Sequence, residues 1–119
     1  MVFEIISGDP DRLVTLVPRL RQESERLRAR FHGLSIAIVT HGAEQFALTT
    51  DKTDRYRQLH SLVKQMTTAD DIPVHVCGTH ASWYDIPPDA FPDYVDVAAV
   101  GPAQAQHYVE LGYRLIVVE

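Results

Sequence analysis

Five short runs of β-type residues punctuate the chain: VFEIIS (2–7), LSIAIVT (34–40), IPVHVC (72–77), VDVAAV (95–100) and YRLIVVE (113–119). Most carry Val and Ile at successive positions instead of alternating them with polar residues. Alternation marks a strand with one wet face; a continuous apolar run marks one covered on both, as in parallel sheets. Parallel neighbours need a crossover of a dozen or more residues, usually a helix. The four gaps between the runs are long enough for that.

The first helix is expected from Asp9-Pro10, an N-cap acid followed by proline at the first helical position. Leu13, Leu16, Val17, Leu20 and Leu27 fall mostly on one stripe. Pro18 lies inside it and predicts a kink or a break, and His32-Gly33 a stop. A second helix is expected from about Asp51 to Met66, with Tyr56, Leu59, Val63 and Met66 on its buried side and Asp70-Asp71 turning the chain after it. A third opens at Gly101-Pro102, carries Ala105, Tyr108, Val109 and Leu111, and ends at Gly112. Segment 79–94, with Pro87, Pro88 and Pro92, reads as an irregular excursion with room for a helical turn. Repeated β-α alternation over 119 residues predicts an α/β fold: a three-layer α/β/α sandwich on a mostly parallel sheet of about five strands. No repeat, low-complexity tract or linker divides it, so residues 1–119 read as one domain.

The apolar fraction of 45% and charged fraction of 23% suit a soluble globular chain. A net charge of -5 and a pI near 5.6 argue against nucleic acid or an anionic membrane as a partner. Arg19, Arg21, Arg26, Arg28 and Arg30 gather in one stretch, but Glu23 and Glu25 interrupt them, so the run reads as a solvated helix face. No stretch approaches the roughly 20 apolar residues of a membrane span. MVFEIISGDPD lacks the basic region and apolar core of a secretion signal. A lone cysteine forms no internal disulfide, and a cytoplasmic location is the default expectation.

In open parallel sheets, ligands collect beyond the carboxyl ends of the strands. VTHGAE brings His41 and Gly42 to that edge, VCGTHASW brings Cys77, Gly78 and His80, and AVGPAQ brings Gly101. If neighbouring strands carry these loops, they converge on one patch. A lone cysteine in a strand is most often a packed core residue. Cys77, however, ends its strand, and Gly78-Thr79 is expected to turn the backbone away and leave the sulfur accessible. Backbone N–H groups or an imidazolium nearby favour a thiolate. His41 and His80 are therefore candidates to tune the thiol, with His41 as a candidate general base, although a loop histidine is commonly just hydrogen-bonded.

His75 alternates with Val74 and Val76 and so faces the same side as Cys77. His75, Cys77 and His80, with His41 as a fourth ligand, form a weak candidate for a soft metal, without the paired short spacings of a structural zinc site. The chain has neither G-x-G-x-x-G nor G-x-x-x-x-G-K, and no cofactor is expected. Asp85, Asp89, Asp93 and Asp96 read as turn and cap residues. Trp83, Tyr84 and Phe91 read as core, with a cover over the sulfur or a subunit contact as alternatives.

Together, SIAIVTHGAEQFALT with His41-Gly42, IPVHVCGTH with Cys77-Gly78, and the tail VAAVGPAQAQHYVELGYRLIVV resemble the DsrE/DsrF-like proteins, which include the TusBCD type of sulfur-relay subunit. The resemblance covers nearly the whole chain, residues 34–118 above all. It implies a small α/β domain that assembles into trimers or hexamers. It also implies that a cysteine at the Cys77 position carries sulfur as a persulfide and passes it to a partner thiol. Sulfur donor and acceptor proteins or small thiols are the partners it implies. Two readings follow: a sulfur carrier or sulfurtransferase using Cys77, His41 and His80, or a non-catalytic oligomeric binding or scaffold module in which Cys77 is only packed.

Overall fold

In the computed structural model, which describes residues 1–119, the apolar runs form β1 (Val2–Ile5), β2 (Ala37–Thr40), β3 (Val74–Cys77), β4 (Asp96–Ala98) and β5 (Leu115–Val118). All pair in parallel, in the order β4-β3-β2-β1-β5. Helices α1 (Arg12–Arg30), α2 (Arg57–Thr68), α3 (Gly78–Ser82) and α4 (Gly101–Glu110) connect them. The three-layer α/β/α sandwich on a parallel sheet is therefore what the chain forms. No helix is long and apolar enough to cross a membrane.

The two faces of the sheet are packed unequally. Phe3, Ile5, Ile38, Val74 and Val76 join Leu13, Leu16, Val17 and Leu20 of α1 and Leu59, Val63 and Met66 of α2 in a core of 20 buried residues. Ala81, Phe91 and Val95 belong to the same core, so the connection from β3 to β4 stays on this face. The opposite face holds only α4, over a cluster of four small buried residues: Val2, Ala37, Val39 and Ala105. Fully burying a Leu- or Ile-sized side chain contributes roughly 1.5–3 kcal/mol, so α4 is held by far less apolar burial than α1 and α2.

Several local expectations are corrected. α1 begins at Arg12, not Pro10, because the Asp9 side chain accepts the Asp11 N–H (2.9 Å) in a turn ahead of the helix. Pro18 lies inside α1 without ending it. It stands on the exposed side, where the Val14 carbonyl deprived of its partner meets water. The second helix begins at Arg57 rather than Asp51, after 3₁₀ turns over Ala43–Leu48 and Thr50–Lys52.

The arginine run is not wholly solvated: Arg21 pairs with Asp70 at 3.0 Å, and Arg28 donates to the carbonyls of Leu34, Asp70 and Asp71. Both arginines tie α1 to the turn before β3. Gly33 and Gly112 take positive φ (74° and 98°), as does Asp71 in the turn after α2 (55°). That is the left-handed geometry expected where helices stop.

Candidate functional site

β1, β2 and β3 connect over the α1/α2 face, whereas β4 connects through α4 on the other. The carboxyl ends of β3 and β4 are therefore where the connections diverge, the position at which open α/β sheets bind ligands. Cys77 ends β3 there, paired with Ala98 of β4. His41 follows directly on β2, whose Thr40 is registered with Val76, so His41 stands beside Cys77.

The sulfur receives two backbone donors. The Gly101 N–H, at the start of α4, lies 3.2 Å from Cys77 Sγ, and the His80 N–H, in α3, lies 3.4 Å from it. Two amides aimed at one sulfur place positive dipole ends where negative charge would sit. Their convergence requires glycine at 101: a Cβ added there would stand 2.7 Å from His41 Cβ and 3.0 Å from Cys77 Cβ.

The imidazoles are engaged elsewhere. His80 Nδ1 lies 2.6 Å from the His41 carbonyl oxygen, which only accepts, so Nδ1 carries the proton. The His80 ring packs edge-on against Phe46 and at a tilt against Trp83 and Tyr84, with centroids 5.3–5.5 Å apart. His41 Nε2 pairs with Glu4 of β1 at 3.1 Å. His80 thus meets the sulfur through its backbone rather than its ring, and no ring hydrogen-bonds it. His75 faces the α4 side, in the row of Val39 and Asp96. Its Nδ1 lies 2.6 Å from Asp96 Oδ2 and its Nε2 2.7 Å from Tyr108 Oη. Burial pushes the Tyr108 phenol up, with Tyr113 and Asp96 adding to it. The phenol therefore keeps its proton and donates to Nε2, while Nδ1–H donates to Asp96. His75, Cys77 and His80 do not converge, and no group of three potential ligands is arranged to hold a metal.

Two expectations about exposure are corrected. Cys77 is 4% exposed, because the chain enters α3 at Gly78 instead of turning away, and the start of α4 lies over the sulfur. Trp83 and Tyr84 are not core: they are 73% and 61% exposed, whereas Phe91 is buried. Asp96, read as a turn residue, is the acceptor for His75.

The 3₁₀ turn after β2 supplies two residues not singled out by the sequence reading. Gln45, fully buried, accepts the Cys77 N–H at Oε1 (2.7 Å) and donates from Nε2 to the Cys77 carbonyl (3.4 Å). Glu44, also fully buried, accepts the Ser7 N–H (2.6 Å), the Gly42 N–H (2.8 Å) and the Thr40 hydroxyl. The only local sign of either is a polar pair, Glu-Gln, directly after a strand. A cavity of about 720 Å³ opens between α3, residues 85–88 and the end of β4; Gly78 is in its wall and Cys77 is not.

These features define a parallel α/β domain with one cysteine held at the switch point of its sheet. No family model matches the chain, and no curated protein matches it. Solved structures share the fold over nearly its full length. A protein of unknown function from Methanobacterium thermoautotrophicum is 20% identical, with a TM-score of 0.74, covering 98% of this chain and 96% of its own. The ychN protein from E. coli is 16% identical, with a TM-score of 0.67, and the coverages are 98% and 97%. A conserved protein of unknown function from Bacteroides thetaiotaomicron is 14% identical, with a TM-score of 0.64 and coverages of 98% and 94%. At these identities the likeness is one of fold.

Proposed function

We propose that the protein carries sulfane sulfur on Cys77 and hands it to an acceptor thiol, as its resemblance to the DsrE/DsrF-like proteins implies. The observation that carries this reading is the pair of N–H groups, from His80 and Gly101, aimed at the only sulfhydryl of the chain. In the loading step the Cys77 thiolate attacks the outer sulfur of a donor persulfide. An S–S bond forms at Sγ, the donor's own S–S bond breaks, and the donor leaves as a thiolate that takes up a proton. In the unloading step an acceptor thiolate attacks the terminal sulfur and Cys77 leaves as thiolate. No net oxidation occurs in either step. His41, beside Cys77 and paired with Glu4, is the candidate to manage the proton.

Homo-oligomers fit this reading. Leu111, Leu115 and Val117 are exposed on the α4 side, where the buried apolar cluster is only four small residues. Exposed Trp83 and Tyr84 flank the His80 ring, and such residues serve as anchors for a protein partner. Incubation with a sulfane donor followed by intact-mass measurement tests the carrier. One added sulfur on the wild type and none on Cys77→Ser is the expected outcome; no addition to the wild type overturns it. Burial of the sulfur favours the second reading, a scaffold module with a packed cysteine. Under that reading thiol reagents modify Cys77 only as denaturant unfolds the chain.

A further inference from the structure

Cys77 and His75 lie two residues apart on the same face of β3, and α4 meets both. Gly101, Ala105 and Tyr108 fall at i, i+4 and i+7, one stripe of the helix. Gly101 touches the sulfur, Ala105 sits on the small cluster, and Tyr108 bonds His75. That cluster buries little, with only partly buried Tyr108, Val109 and Tyr113 packed around it, so apolar packing alone holds the helix register weakly. The polar chain Asp96–His75–Tyr108 holds it more tightly: His75 is buried, and both of its ring nitrogens have partners within 2.7 Å. A hydrogen bond in such surroundings is strong when made and costly to leave unmade.

We infer that Asp96, His75 and Tyr108 are positioning residues: they latch α4 onto the sheet at the register that brings the Gly101 N–H to Cys77 Sγ. The inference rests on the reading of Cys77 as the reacting sulfur. It adds that this sulfur's electrostatic environment is set from two helical turns away. It also gives His75 a role that neither a metal site nor the thiol itself supplies. Asp96 orients the imidazole so that Nε2 is left as the acceptor, and the Tyr108 hydroxyl carries the helix.

Tyr108→Phe tests it, because the ring that packs on His75 and Tyr113 stays and only the hydroxyl goes. Asp96→Ala repeats the test from the exposed end, since it removes the acceptor for the His75 Nδ1–H. Amide hydrogen exchange is followed at Gly101 and along β2 and β3, and thiolate absorbance is titrated with Cys77→Ser as the blank. In both variants Gly101 exchange is expected to rise about fivefold or more, the loss of roughly one hydrogen bond, while the β2 and β3 amides keep their wild-type rates. The midpoint of thiolate formation should move up by about half a unit, since the anion loses a donor. Unchanged Gly101 exchange with an unmoved midpoint overturns the latch. So does faster exchange throughout the sheet with an unmoved midpoint, which would make the three residues supports of the fold alone. Neither readout uses a sulfane donor, so failure of the latch and failure of sulfur carriage are seen separately.

Discussion

The side-chain amide of Gln45 takes both backbone hydrogen-bonding groups of Cys77, accepting the N–H at 2.7 Å and donating to the carbonyl at 3.4 Å. β2 ends at Thr40, opposite Val76. On the β2 side of Cys77, where the ladder has no further strand residue, the carboxamide stands in for a peptide group. Gln45→Leu leaves a buried donor and a buried acceptor bare. A loss of about 2–4 kcal/mol in unfolding free energy is expected, checked by denaturant titration. Gln45→Glu keeps the acceptor for the N–H but sets an oxygen against the Cys77 carbonyl, and should fall between Leu and wild type.

Gly101 is small because two side chains start where its own would be. In Gly101→Ala the new methyl meets His41 and Cys77 at 2.7 and 3.0 Å, so α4 must retreat from the sheet. Overpacking of this kind costs about 1–3 kcal/mol, and thermal unfolding should register it, together with a higher midpoint for thiolate formation. Gly112→Ala is the control. Nothing lies within 4 Å of that position, so it is expected to lose about 1–2 kcal/mol through its positive φ alone and to leave the thiolate midpoint unmoved.

The layers and strands were legible because covered parallel strands and helix stripes are written in local apolar patterns. Val2–Ile5, Ala37–Thr40 and Val74–Cys77 lie within predicted runs, and Leu59, Val63 and Met66 do face the core. The switch-point edge was legible too, since His41, Cys77 and Gly101 each end or follow a strand. The partners at that edge were not. Gln45 and Cys77 are 32 positions apart in the chain, Glu4 and His41 are 37 apart, and no local period links such pairs. The burial of Cys77 was missed for a related reason: Gly78 permits a turn, and only packing against the distant start of α4 decides that the chain continues into α3.

Glu44 ties the carboxyl ends of β1 and β2 together, accepting from Ser7, Gly42 and Thr40 with both oxygens. Every group around this carboxylate is a donor. Glu44→Gln turns one oxygen into an NH₂ that must face another donor, and a destabilisation of about 2–3 kcal/mol is expected from denaturant unfolding. Glu44→Ala removes the clash but leaves the same donors unpaired in a dry site, so it should be no milder.

Three tyrosines are held above the ordinary phenol range. The acceptor Asp11, 2.7 Å from the Tyr56 hydroxyl, raises Tyr56, with burial adding to it. Burial raises Tyr94 and Tyr108. A folded-state value above the unfolded one, about 10, means that the folded chain holds these protons longer than the unfolded chain does. The stability they contribute is therefore complete below about pH 10 and is lost as pH rises through the folded-state values. Unfolding free energy should fall across that window. Phenolate absorbance should show Tyr56, Tyr94 and Tyr108 titrating later in the native state than in denaturant. Asp11→Ala removes the acceptor that is the largest cause at Tyr56 and should bring that one phenol forward without moving Tyr94 or Tyr108. If Tyr56 still titrates as late as before, the bond its hydroxyl donates to Asp11 is not what holds it back.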